Sequence, residues 1–173
     1  MNRRQTIKKL VLASGTLVAL PGWAEKWRAS DLVGFPSMLS PDMQQTLAAV
    51  VDTIIPAGNS IGALSVQVDK FLLKLLDECY EKDVQDDVNA QLRALDQSAH
   101  NLYAKPFKHC SQLQREEMLF ALSQSGIEAE VGFFNLMKLE TIRGFTTSRE
   151  VMVDYFKFKQ IPGHYSGCVD VNA

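Results

Sequence analysis

From Ser40 onward the apolar residues return at helical spacing, and the two-residue alternation that marks a strand is nearly absent. A chain whose apolar side chains line one side of a 3.6-residue cylinder can bury them only by packing helix on helix. Met43, Leu47, Val50, Val51, Ile54 and Ile55 set the first such face. Ser40 is placed to cap it, Pro41 suits the first helical position, and Asp42 favours the positive end of the dipole. Pro56 stops this helix, and a loop containing Gly58 and Gly62 runs to Ala63.

A second helix is expected from about Val66 to Tyr80, with Val68, Phe71, Leu72, Leu75, Leu76 and Cys79 on one face. A third, from about Val84 to Tyr103, turns Val88, Leu92, Leu95, Ala99 and Leu102 inward and carries Asp83, Asp86 and Asp87 in its first turn. Lys105-Pro106-Phe107 breaks the chain. Ser111 with Gln114 reads as a capping box for a fourth helix to about Ser123. Gly126 precedes a fifth helix, about Ile127 to Arg143, closed by Gly144, and a short sixth lies between Ser148 and Pro162. The expected fold is all-α, a compact bundle of five to six helices with an irregular C-terminal tail.

The fifth helix carries Val131, Phe133, Phe134, Leu136, Met137, Leu139 and Ile142, too many for one stripe. Such a helix is either central to the core or covered on one flank by a partner.

Residues 1–24 have another character. Met1 to Lys9 hold four positive charges and no acid, Leu10 to Leu20 are moderately apolar, and Gly22 and Ala24 are small residues placed for a signal peptidase. Eleven apolar residues rise only about 16 Å as a helix, half a bilayer core, so the segment makes a poor membrane span. Asn2-Arg3-Arg4-Gln5-Thr6-Ile7-Lys8 resembles the twin-arginine signal Ser/Thr-Arg-Arg-x-Phe-Leu-Lys: Arg3, Arg4 and Lys8 match, whereas Thr6 and Asn2 depart. The other reading is an ordinary secretory signal that happens to hold two arginines. The twin-arginine route carries folded cargo, so the chain is expected to hold a cofactor or to travel with a partner that holds one. The organisation expected is an export signal over 1–24, a linker over 25–39 and a helical domain over 40–173.

Charge changes meaning once that segment is set apart. The chain has 18 basic and 20 acidic residues, but four of the basic and none of the acidic ones lie in 1–24. The remainder holds 14 against 20, so the domain is acidic, and no basic block is long enough to track a phosphate backbone; a nucleic-acid partner is not expected.

Motifs for chemistry are scarce. The sequence shows neither a Gly-rich dinucleotide fingerprint nor a phosphate loop, and no C-x-x-C-H or C-x-x-C pair. His100, His109 and His164 lack partners at i+4 and read as solvent-facing; a metal site built from them is the weaker alternative. No catalytic residues, cofactor-binding residues or metal ligands are expected in this chain.

The C-terminal third carries a more specific pattern. Phe133 to Ser148, reading FFNLMKLETIRGFTTS, is followed by Tyr155 and by Pro162-Gly163-His164-Tyr165-Ser166-Gly167-Cys168; near the other end stands Leu47 to Ala57, LAAVVDTIIPA. Together these resemble the gluconate 2-dehydrogenase subunit 3 family, the small subunits of membrane-associated sugar and polyol dehydrogenases, over about Ser40 to Cys168. Phe145-Thr146 departs from the family's usual aromatic pair. The resemblance implies a large flavoprotein partner of the glucose–methanol–choline type that binds FAD and oxidises the sugar. It also implies a cytochrome c that takes the electrons on haem c. The small subunit would carry the signal read by the twin-arginine translocase and help its partner fold and reach the periplasm, where the complex can hold it at the inner-membrane face.

Three cysteines leave an odd thiol if one internal bridge forms, and an odd thiol in an exported protein suggests an intermolecular bond. Cys168, sixth from the end on a Gly-containing tail, is the candidate for a disulfide to the large subunit; an internal bridge and a free thiol remain open. Cys79 reads as a small core residue, and Cys110 as exposed or paired with Cys79. Seven of the 15 aromatic residues lie within the last 41 positions, which nominates Phe133, Phe145, Phe158 and Tyr165 as interface residues, against the alternative that such rings fill the core. The functional expectation is a non-catalytic small subunit of a periplasmic FAD-dependent sugar or gluconate dehydrogenase. The alternatives are a stand-alone periplasmic helical binding protein or chaperone, and a small enzyme with an unseen site.

Overall fold

The computed structural model describes residues 37–159 and Gly163; Arg3, Arg4, His164, Tyr165 and Cys168 lie outside the described residues. The chain divides into two units, Met1–Pro36 and Ser37–Ala173, and the second holds the fold. Five α-helices occur among the described residues: α1 Pro41–Ile54, α2 Val68–Cys79, α3 Lys82–Tyr103, α4 Gln112–Ser123 and α5 Glu128–Thr147. Two 3₁₀ turns, Ala63–Val66 and Phe107–His109, precede α2 and α4, and a π-helical turn, Val151–Tyr155, follows α5.

The ends form where the residues dictate. Ser40 Oγ accepts from Met43 N–H at 3.4 Å with Pro41 at the first helical position. In α4 both halves of the capping box are made: Ser111 Oγ accepts from Gln114 N–H, and Gln114 Oε1 accepts from Ser111 N–H at 3.0 Å. The packed unit starts slightly ahead of Ser40, because Leu39 is buried and Met38 N–H donates to Asp77 Oδ1 at 3.1 Å.

Two helices run through the centre. α1 and α5 each pack against all the other α-helices. From α1, Leu47, Val50 and Val51 enter the core; α2 supplies Val68, Leu72 and Leu76; α3 supplies Val88, Leu92, Leu95 and Ala99. Phe107, in the short turn after the Pro106 break, is fully buried and its N–H donates to Asp96 Oδ1 at 2.9 Å. That bond satisfies a backbone donor which the loop would otherwise leave buried and unpaired. α4 is tied to α1 by Arg115, whose Nη2 lies 2.9 Å from Asp52 Oδ2 while Nη1 donates to the Ala49 carbonyl at 3.3 Å.

Five sequence expectations change. The fifth helix does not stop at Gly144 but continues to Thr147, and Gly144 serves close packing: a Cβ there would lie 2.7 Å from Phe71 Cδ1 and 3.1 Å from Val68 Cγ1. Leu102 is 67% exposed, and Tyr103 covers the core edge in its place. Cys79 is exposed rather than buried, because Leu76 is the last buried position of α2 and the final turn overhangs the core. Cys110 is buried, and among the described residues neither it nor Cys79 is bonded to another cysteine. Asp83 alone of the three aspartates falls in the first turn of α3, which starts two residues earlier than the apolar pattern suggested.

Candidate functional site

Helix α5 buries one face and offers the opposite one. Phe133, Met137, Glu140, Thr141 and Gly144, at i, i+4, i+7, i+8 and i+11, point into the bundle. The opposite ridge consists of Gly132, Asn135, Leu139, Ile142 and Thr146, none of them charged. Leu139 is 63% exposed and Ile142 41%. Thr146 Oγ1 already donates to the Ile142 carbonyl at 2.8 Å. Gly132 has open space where a Cβ would stand, so nothing within the bundle calls for a glycine there. A mid-helix glycine costs about 1 kcal/mol relative to alanine.

The same ridge leads into the C-terminal turn. Thr147 Oγ1 and Ser148 Oγ bond back to the carbonyls of Arg143 and Phe145 at 2.8 and 2.7 Å, a competition that ends helices. Val151 is buried and anchors the π turn against α5, and Phe156 N–H reaches the Val151 carbonyl at 3.1 Å. Lys157 takes a left-handed φ of 53°, and Phe158 N–H then donates back to the Met152 carbonyl at 2.9 Å. Tyr155 Oη lies 2.8 Å from Ser60 Oγ. The result displays Val153, Tyr155, Phe156 and Phe158, each about half exposed.

Charge is segregated along the same boundary. Residues 40–130 hold seven basic against fourteen acidic side chains. Residues 131–159 hold Lys138, Arg143, Arg149, Lys157 and Lys159 against Glu140, Glu150 and Asp154, and Glu140 is buried. The C-terminal stretch is thus mildly basic on an otherwise acidic helical unit.

Buried polar side chains are few among the described residues: Thr46, Thr53, Glu140 and Thr141. Tyr80 Oη donates to buried Glu140 Oε1 at 3.1 Å, with Arg143 Nη1 3.7 Å from the same oxygen. Burial, then the Glu140 charge and hydrogen bond, hold the Tyr80 hydroxyl above its ordinary pKa of 10.0. Among the described residues, Glu140 Oε2 and Thr141 Oγ1 meet no hydrogen-bond partner. His100 Nε2 stands 3.8 Å from Asp96 Oδ2 beside a groove of about 240 Å³ that also meets Asp42 and Lys108. His100 and His109 are exposed. Among the described residues no group of three or more His, Cys, Asp or Glu side chains is placed to hold a metal ion, and no helix is long and apolar enough to cross a membrane.

Two further grooves flank α4. One, about 320 Å³, lies between α3 and α4, lined by Leu95, Leu102, Met118 and Leu122, with Glu130 its sole charged wall. The other, about 310 Å³, lies between α1, α4 and α5, with Phe120, Phe134 and Lys138. A dinucleotide cofactor needs a cradle of amides or cations for its pyrophosphate. A trough facing Glu130, and an open one with Lys138 beside Glu116, do not fit that need.

The residues nominated from sequence separate. Phe133 is 1% exposed, so it fills the core and offers no surface to a partner; its position, i−4 from Met137 on the inward stripe, explains why. Phe145 is half-buried against the core, and Phe158 is 54% exposed. Residues that the sequence reading passed over are Leu113 and Phe120 on α4, 72% and 67% exposed; Leu139 on α5, 63% exposed, belongs to the helix it read as either central or covered on one flank by a partner. The signal was present: both helices carry apolar residues on more sides than one core can cover.

Residues 41–163 match the protein-family model described as Gluconate 2-dehydrogenase subunit 3. No curated protein and no solved structure matches the chain.

Proposed function

The chain belongs to the gluconate 2-dehydrogenase subunit 3 family, and we propose that it acts as the non-catalytic small subunit of a periplasmic, FAD-dependent sugar or gluconate dehydrogenase. Its work is to support folding of the large flavoprotein and to bring it through the twin-arginine translocase on the signal at Arg3-Arg4. FAD sits in the large partner, and haem c in a cytochrome c that accepts the electrons. Cys168 is the proposed disulfide link to the large subunit, and Phe158, with Tyr165, belongs to the contact surface.

The observation that carries this reading is the family match, which spans most of the helical unit. The apolar surfaces of α5 and the π turn support it, since monomeric proteins seldom leave large apolar side chains grouped in water.

The experiment is to produce the large subunit with and without this chain in the host and to assay dehydrogenase activity in the periplasmic fraction. Activity is expected only when both are present, and to vanish from the periplasm with Arg3→Lys and Arg4→Lys together. Full periplasmic activity of the large subunit alone rejects the proposal.

A further inference from the structure

We infer that the outer ridge of α5 and the π turn that follows it form the face on which the large subunit docks, and that the matching surface of the large subunit is an apolar strip bordered by carboxylates. The inference rests on the subunit reading above and adds which face is used, and the chemistry of what covers it.

Three independent features converge on this face. The first is the uncharged ridge from Gly132 to Thr146, about 21 Å long at 1.5 Å per residue, on a surface helix where solvent should favour charge. A ridge of that length and one helix width covers only about 200 Å². A stable interface takes about 800 Å² from each partner, so the ridge must be continued, and Val153, Tyr155, Phe156 and Phe158 continue it along the chain.

The second feature is Gly132. It weakens its helix without relieving any contact inside the bundle. A missing side chain on an outward ridge leaves room for a neighbour to approach closely, as Gly144 on the inward side of the same helix makes room for the Phe71 ring.

The third feature is charge, and it selects the occupant. A partner bordered by carboxylates is disfavoured by residues 40–130, with fourteen acidic against seven basic side chains, and favoured by residues 131–159, where Lys138, Arg143, Arg149, Lys157 and Lys159 outnumber the exposed Glu150 and Asp154. Complementarity of this kind orients an encounter and makes it sensitive to salt. A second copy of this chain would set like charges against each other on this face.

The test uses the full chain and its large subunit, with the dissociation constant measured at low and high salt. Leu139→Asp with Ile142→Asp is expected to weaken association at least tenfold, since buried apolar anchors dominate such interfaces. Lys157→Glu with Lys159→Glu is expected to weaken it and to flatten its salt dependence. Leu113→Asp with Phe120→Asp, on α4, is expected to bind like the wild type. Circular dichroism of each isolated variant confirms that its helices remain; a Gly132→Ala variant, which should fold at least as well as the wild type, is expected to bind more weakly and covers the case in which an aspartate pair fails to fold.

If the wild-type chain does not bind the large subunit, the subunit reading itself fails. If it binds and the α5 variants bind equally well, or only the α4 variant loses affinity, the docking face is wrong while the subunit reading stands. If the α5 variants lose binding to phosphatidylglycerol vesicles but keep the large subunit, the face meets lipid and the inference is overturned.

Discussion

Tyr80, just past the end of α2, donates its hydroxyl to Glu140 Oε1 on α5 across 3.1 Å, and this bond is the described partner of a carboxylate that is 4% exposed. It joins two helices through a polar contact inside an apolar bundle, where an unpaired carboxylate would be costly. The second oxygen, Oε2, meets no partner among the described residues.

Tyr80→Phe should lower stability by about 1–2 kcal/mol at neutral pH, because Glu140 Oε1 loses its donor while Arg143 stays 3.7 Å away. The pH dependence has a definite sign. The Tyr80 pKa is raised in the fold, first by burial and then by Glu140, so its contribution is complete below pH 10.0 and is lost as pH rises through the folded value. Tyr103 is shifted the same way, by desolvation and by its bond to Glu117. Urea midpoints between pH 9 and about 11.5 should therefore fall less steeply in Tyr80→Phe than in the wild type. Parallel curves for the two proteins would count against the assignment.

Arg115 is the main polar tie between α4 and α1. Its guanidinium meets Asp52, the Ala49 carbonyl and Gln112 Oε1, the last at 2.8 Å. Arg115→Met keeps the aliphatic stem and removes these bonds. A loss of about 2 kcal/mol is expected by denaturant titration, larger than for the exposed Lys82–Asp86 pair, whose Lys82→Met change should stay within about 0.5 kcal/mol.

The two glycines of α5 should respond oppositely to alanine. At Gly132 the added methyl meets nothing, and the isolated chain should gain about 1 kcal/mol from helix propensity. At Gly144 the methyl runs into Phe71 and Val68, and crowding should outweigh that gain, for a net loss of about 1 kcal/mol. Thermal melts of both variants decide the sign.

Ala104 ends α3 at a left-handed φ of 55°, with its N–H on the His100 carbonyl at 2.9 Å. Glycine adopts that conformation without the Cβ penalty. Ala104→Gly should therefore raise stability by about 0.5–1 kcal/mol, an increase that a melt would register directly.

Thiol labelling should separate the two described cysteines. In a Cys168→Ser background, Cys79 should react with a maleimide in the native chain. Cys110, buried with its thiol 3.7 Å from the Pro106 carbonyl, should react only once the fold opens. Equal native rates would contradict their placement.

Much of the fold was legible because each rule involved acts locally. The caps at Ser40 and Ser111 bind donors three residues away, Pro56 and Pro106 interrupt helices by their own geometry, and period alone places Leu47, Val50 and Val51 of α1 and Val88, Leu92, Leu95 and Ala99 of α3 inside, though not Leu102. Gly144 was misread because sequence shows a glycine near a helix end but not the Phe71 ring that needs its space. Phe133 was misread because an aromatic residue on a helix apolar all round has no sequence mark of which side faces in.

What the sequence by itself determined was the set of helices, the breaks between them and the family, through patterns that span a few residues or short motifs. What only the tertiary structure decided was which apolar residues the bundle leaves uncovered: Phe133 inside and Leu139 outside, six residues apart on one helix. Burial depends on where the other helices lie, and no residue carries that information in its own neighbourhood. The apolar ridge, the idle Gly132 and the basic border became one surface only when the bundle had closed on the other side of α5.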